Sequence, residues 1–334
     1  QVAVLIRGIE SIRIVEKYSA PVLIALSSAL LWWAYQQTNG FGPMLSSATS
    51  QLTTRAAFMA VFLPAITANV GFWSTLSLNI PDFTRYAKSQ ASQLKGQAIG
   101  LPLFMALFSF LGVAVTSATV SIFGKAISDP VAVVSRIDGT LPTIMSLVGL
   151  VLATISTNIA ANVVAPANAL VNLAPRKVSF RKGALITAIV GIVTQPWRLL
   201  ASPEGYIFTW LIGYSALLGP VAGIIIADYF LVRNRQLDVD SLYSKSGAYW
   251  YSNGYNPKAF LAFIIGVVPS LPGFLATAMG PNSLIASKVP AVFKKLYSGA
   301  WFVGFFVSIV AYLIIAKNRN HELDGDGETV NIKI

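Results

Sequence analysis

The chain contains no cysteine, and its single histidine, His321, lies near the C-terminal end of 334 residues. Disulfides and thiolate metal sites are therefore excluded, as is a metal site or general base built on imidazole within an apolar segment. Charge is also scarce: Asp, Glu, Lys and Arg make up 11% of residues, against about 25% in a soluble globular domain. No paired acids at one depth, no serine beside a base and no HExxH motif occur in the apolar segments, so the reactive constellation of an intramembrane enzyme is missing. No soluble domain is present either. The longest polar stretch between apolar runs, 233–258, reads as a loop, and 318–334 reads as a polar, disordered C-terminal tail.

What the chain has in excess is apolar residues, 55% of the total, with a mean hydropathy of +0.66. They fall in blocks, several exceeding the roughly 20 residues a helix needs to cross a bilayer. Lipid cannot satisfy backbone polar groups, so a spanning segment must be a helix or part of a closed barrel, and uninterrupted apolar runs select the helix. The fold class is an all-α polytopic membrane protein. Eight spans are predicted, at 20–37, 56–80, 96–123, 141–171, 183–200, 206–232, 259–279 and 296–316, forming one transmembrane domain over 1–317. The fifth is short and ends in Gln195, Pro196 and Trp197.

The net charge of +11 could suggest a nucleic-acid partner, but the basic residues are spread over short loops. Arg7, Arg13 and Lys17 precede the first span, and every second turn after it is basic: Arg85, Lys88 and Lys95, then Arg176, Lys177, Arg181 and Lys182, then Arg233, Arg235, Lys245 and Lys258. Lys288, Lys294 and Lys295 run against this alternation. The pattern follows the positive-inside rule, places both ends in the cytoplasm, and makes the bilayer rather than nucleic acid the partner.

Transporters bind solutes where helices break near the membrane midplane. The second span contains Pro64, Gly71 and Pro81, with Asn69, Gly71, Phe72 and Trp73 near its middle. Gly71 permits an unwound backbone and Trp73 offers a face for a planar ring; a kinked helix with a packing Trp is the plainer alternative. The fourth span places Thr154, Ser156, Thr157, Asn158 and Asn162 in an apolar helix. Ala153, Ser156 and Thr157 share one face, offering a carbonyl and two hydroxyls to a hard cation such as sodium. Asn162 lies about 140° around an ideal helix from Thr157, so an undistorted helix cannot aim both at one ion. An Asn amide does match the adjacent N–H and C=O of a cyclic amide. Small and polar residues that glue helices together are the alternative here. Asp82 with Arg85 is either a helix-end pair or an inner gate, and Asp228 is expected at the inner interface beside Arg233 and Arg235.

The motifs RGIESIRIVEKYSAP, GFWSTLSLNIPDFTRY, ATISTNIAANVVAPANALVNLAP and WYSNGYNPKAF resemble the nucleobase:cation symporter-1 family over essentially the whole chain. The resemblance implies a LeuT-type fold of twelve helices, of which this chain would hold helices 5–12; its start at Gln1 without Met fits an N-terminally truncated fragment. It implies a sodium half-site at Ala153, Ser156 and Thr157, no other cofactor, and a solute site with Trp73 stacking on the ring. Gly71 and Phe72 would line the break, Asn162 would bind the amide edge and Asn158 would support either site. Phe72 could replace Trp73 as the stacking ring. The implied activity is symport of a small neutral ring such as uracil, allantoin, a hydantoin or a purine, driven by sodium or protons, by a monomer. The outer half of 206–232 would close over the solute before the bundle rocks inward. A carrier of another solute, such as an amino acid or vitamin, and an inactive fragment are the competing expectations.

Overall fold

The computed structural model describes residues 4, 9–46, 54–197, 202 and 205–317; the tail expected at 318–334 lies outside them. The principal helices are α1 (Ile9–Gln37), α2 (Arg55–Leu78), α3 (Gln90–Phe123), α4 (Thr140–Leu173), α5 (Phe180–Val193), α6 (Gly205–Val232), α7 (Pro257–Ala278), α8 (Ala291–Ser298) and α9 (Ala300–Lys317). Local chemistry sets several starts. Ser89, Ser179 and Asn256 each accept a backbone N–H from the first turn of α3, α5 and α7. Gly124 ends α3 in the left-handed region at φ 72°, which glycine adopts without strain.

Among the described residues six helices are long and apolar enough to cross a membrane: Lys17–Gln37 of α1, then α2, α3, α4, α6 and α7. The α8–α9 pair makes a seventh if its halves, bent by 92°, count as one span. Two predicted spans take a different form. The fifth is a helix of 14 residues, about 21 Å long against a hydrocarbon core of about 30 Å. It stops where Gln195 turns to φ 50° ahead of Pro196, and the predicted end at 198–200 lies outside the described residues. In the last span, residues 296–298 belong to α8; Gly299 interrupts the helix, and the long apolar run begins at Ala300.

Large apolar side chains cover the outside. In α3 only 11% of the most apolar window is buried inside the protein, and Ile99, Leu103 and Val113 are each more than half exposed. A surface like this suits hydrocarbon and would aggregate in water.

The chain folds as two compact units: Gln1–Gln51 with Asn79–Gln195, and Leu52–Leu78 with Pro196–Ile334. In the first, α1 packs on α3 and α4, and α5 packs on the second half of α4. Its core has one cluster around Met44, Ala114, Ala118 and Val133, and another around Ile159, Val163, Ala167 and Ala184. Small residues allow the close approaches: a Cβ on Gly183 would stand 2.8 Å from the Ala167 carbonyl oxygen. In the second unit, α6 lies at the centre against α2, α7 and α9. Cβ atoms on Gly219 and Gly223 would stand 2.2 and 2.5 Å from the carbonyl oxygens of Trp301 and Phe305.

Candidate functional site

In the first unit the site residues follow one another along α4. Ser156 is buried, at 4% exposure, and its hydroxyl donates to the Ala153 carbonyl at 3.4 Å. Two of the three expected ion-binding oxygens thus sit side by side, while the Thr157 side chain is exposed. Beyond Ile159 the helix widens into a π turn over Ala160–Val164 before α-geometry resumes at Ala165. Pro166 supplies a cause: it has no N–H for the Asn162 carbonyl, and its ring crowds that oxygen. A π turn winds more slowly than an α turn, so the angle of about 140° expected of an ideal helix does not apply between Thr157 and Asn162. Asn162 donates from Nδ2 to Asn158 Oδ1 at 2.8 Å, making the two amides a pair on an exposed face.

In the second unit, α2 runs without interruption from Arg55 to Leu78, so the unwound stretch expected at Gly71 is not there. Gly71 serves close approach instead. A Cβ at this position would stand 1.8 Å from Ser215 Oγ and 2.9 Å from the Leu211 carbonyl oxygen, both on α6. Polar contacts fix the same crossing. Tyr214 donates its hydroxyl proton to the Gly71 carbonyl, and Ser215 donates to the Leu211 carbonyl at 2.5 Å and the Thr67 carbonyl at 3.4 Å. Thr67, fully buried, donates to the Ser298 carbonyl at 2.7 Å. Phe72 and Trp73 meet edge to face at 5.4 Å between centroids, with Phe72 48% exposed. Trp73 also borders a cavity of about 400 Å³ lined by Asn69, Ser74, Ser77 and Trp301.

The permease family for cytosine/purines, uracil, thiamine and allantoin matches residues 1–304. The chain belongs to this permease family. It is 51% identical over 317 residues to a purine-uracil permease of Arabidopsis thaliana, covering 94% of this chain and 52% of that protein. It is 40% identical over 315 residues to an allantoin permease of Bacillus subtilis (strain 168), covering 94% of this chain and 61% of that one. The chain therefore spans about half to three-fifths of the length of these relatives. Among solved structures it is similar to Mhp1, a nucleobase-cation-symport-1 family transporter, in a closed conformation with bromovinylhydantoin bound. The TM-score is 0.69 at 27% identity, over 95% of this chain and 65% of Mhp1. The inward-facing conformation of Mhp1 matches in fold with a TM-score of 0.66 over 96% of this chain. The helical LeuT-type architecture expected from the motifs is thus the one this chain adopts, and its relatives are transporters rather than enzymes.

Three parts of the chain's polar framework rest on partners that the sequence did not indicate. Tyr214 and Ser215 on α6, far along the chain from Gly71, make the α2 crossing. Asn168, beyond the π turn of α4, donates to Asp82 Oδ1 at 3.0 Å, and Asp82 also pairs with Arg85. Asp82 is therefore more than a helix-end charge, because it ties the α2–α3 connector to the helix that carries Asn162. Asp228, in the π turn Ala227–Val232, accepts from Arg233 at 2.6 Å and from Tyr312 of α9 at 2.7 Å. Arg233 reaches on to the Tyr251 hydroxyl at 2.6 Å, anchoring the following loop. Of these residues only Asp82, Arg85, Asp228 and Arg233 carried a sequence signal, that of charge close to an apolar run.

Proposed function

We propose that this chain supplies the solute-carrying helices of a secondary transporter for neutral, nucleobase-like rings such as uracil, allantoin, hydantoins or purines, driven by sodium or protons. One observation carries the reading. Over 95% of its length the chain shares the fold of a transporter whose structure holds bromovinylhydantoin, at 27% identity, and the rest of its family are described as permeases for related rings. On α4, the paired amides of Asn158 and Asn162 offer a donor–acceptor edge for the N–H and C=O of a cyclic amide. On α2, Trp73 stacks on the ring, with Phe72 and Gly71 beside it. Trp73 lines an open depression of about 400 Å³ and Phe72 does not, which favours Trp73 as the stacking ring.

The Ala153 carbonyl, the Ser156 hydroxyl and the Thr157 hydroxyl form half of a sodium site. Neutral oxygens suit a hard cation, and the 3.4 Å separation of Ser156 Oγ from Ala153 O fits two ligands on adjacent coordination positions. The ion contributes charge and holds this half of α4 in one conformation. Coupling then requires that ion and ring each strengthen binding of the other. The protein acts as a monomer in the membrane, with both ends of this chain in the cytoplasm.

Uptake of radiolabelled uracil, allantoin and a hydantoin, by cells expressing the protein with and without a sodium gradient, tests this reading. Asn162→Ala should abolish uptake of the carried ring, and Ser156→Ala should remove its sodium dependence or the uptake itself. Uptake that survives both substitutions would move the site elsewhere; absence of uptake of every ring would reopen the solute class in favour of another small molecule.

A further inference from the structure

A second cavity, of about 410 Å³, lies inside the second unit, and neither Phe72 nor Trp73 lines it. One wall is the first part of α6, the other the middle of α7. Both walls are irregular where they face it. Residues Gly205–Leu211 form a π turn, and Val268–Ser270 form a 3₁₀ turn in which Pro269 and the following Pro272 remove N–H donors from the regular helix. Trp210, Leu217, Val267, Leu271 and Phe274 give the cavity an apolar lining, and no charged side chain takes part. Trp210, Leu217 and Leu271 are each 46–49% exposed and form an open rim on membrane-spanning helices.

Ser270 breaks this pattern. It is 1% exposed, lines the cavity, and its hydroxyl has no hydrogen-bond partner among the described residues. Three other buried hydroxyls of the same unit are bonded: Thr67 to Ser298, Ser215 to Leu211 and Ser308 to the Pro220 carbonyl. An unpaired buried hydroxyl is costly, and a bilayer supplies little water to satisfy it.

We propose that this cavity binds a neutral lipid whose hydroxyl or carbonyl oxygen pairs with Ser270. The lining excludes a charged headgroup, and the volume falls in the range of small-molecule pockets, roughly 300–1,000 Å³. A nucleobase-like ring fits poorly, because its several polar edges would meet a mostly apolar lining with few hydroxyls, those of Thr209, Ser270 and Tyr214, the last engaged with the Gly71 carbonyl. Through Tyr214 the occupant touches the contact that positions α2, without being part of the proposed solute site.

Photolabelling of the purified protein in phosphatidylcholine nanodiscs, with a long-chain fatty alcohol carrying a diazirine, tests the assignment. Mass spectrometry should place the label on peptides covering 209–217 and 267–274, and unlabelled fatty alcohol should compete it away. Ser270→Ala should weaken that competition about five-fold, the effect of one hydrogen bond. Leu217→Trp, which fills the cavity, should abolish site labelling at an unchanged melting temperature. Label spread evenly over lipid-facing α3 and α5, or not displaced by unlabelled alcohol, would overturn the proposal. The competition experiment needs no variant, so it decides the matter even if both substitutions impair folding.

Discussion

Replacing Gly71 with alanine probes the α2–α6 crossing most directly. The added Cβ would lie 1.8 Å from Ser215 Oγ, 3.2 Å from Ser215 Cβ and 2.9 Å from the Leu211 carbonyl oxygen. An ordinary contact needs roughly 3.5 Å, so the overlap with the hydroxyl is about 1.7 Å. Ser215 cannot simply turn aside, because its hydroxyl is bonded to the Leu211 and Thr67 carbonyls, and the Leu211 oxygen is backbone. Helix α6 must therefore back away from α2, which costs about 1–3 kcal/mol as overpacking. The same movement lengthens the Tyr214 bond to the Gly71 carbonyl, adding about 0.5–1.5 kcal/mol. Thermal unfolding of the detergent-solubilised protein, followed by size-exclusion chromatography with fluorescence detection, should show Gly71→Ala melting several degrees lower. Adding Ser215→Gly should recover part of the loss but not all, since the Leu211 oxygen remains. A single variant that melts with the parent, or a double variant no better than the single, would refute the crossing described above.

Other expectations follow from the polar ties. Asn168→Asp sets a second carboxylate against Asp82 and should lower stability by about 1–3 kcal/mol; Asp82→Asn added to it should restore much of this, read by the same melts. Arg233→Ala leaves Asp228 without its cation and removes the Arg233 bond to the Tyr251 hydroxyl, so limited proteolysis should cut the segment 234–256 faster than in the parent protein. At Asp238, which caps the short helix Val239–Leu242, the Ser241 hydroxyl and backbone N–H hold the carboxyl below its ordinary value. A depressed folded value means the cap's contribution is present above about pH 3.9, the unfolded value, and is lost as pH falls through the folded one. Exchange of the Ser241 amide should accelerate, relative to its intrinsic rate, only on that acid side.

Much of the architecture was legible because long apolar runs leave a helix few alternatives in lipid. The helices α2, α4, α6 and α7 begin and end close to their predicted bounds, and α3 ends at its predicted bound but starts six residues earlier, at Gln90. Turn residues inside apolar sequence were harder to weigh: Gln195–Pro196 ends α5 early, and Gly299 divides α8 from α9. Gly71 stayed ambiguous for a physical reason. A glycine that unwinds a helix and a glycine that admits another helix look alike in sequence, and Ser215, which decides between them, lies far along the chain. The π turn at Ala160–Val164 had a local signal in Pro166, whose missing N–H bears directly on the Asn162 carbonyl. Long-range ties such as Asn168 to Asp82, 86 positions apart, leave no periodic trace at all.

The glycines that α6 presents to α9 limit how these helices can move. Gly219 and Gly223, one turn apart, seat the backbone bumps of Trp301 and Phe305 like teeth in a rack. On the next ridge Pro220 wedges against Gly304 and Gly266, where Cβ atoms would stand 2.6 and 3.0 Å from its ring. A slide along this rack takes the carbonyls off their glycines, and even a shift of a whole turn, about 5.4 Å, would set one of the two against the Cβ of Ser215 or Ala227, so the register is fixed. Continuous adjustment between α6 and α9 therefore has to come from flexing, and the π turns at Gly205–Leu211 and Ala227–Val232, just beyond either end of the toothed stretch, are where α6 departs from regular winding.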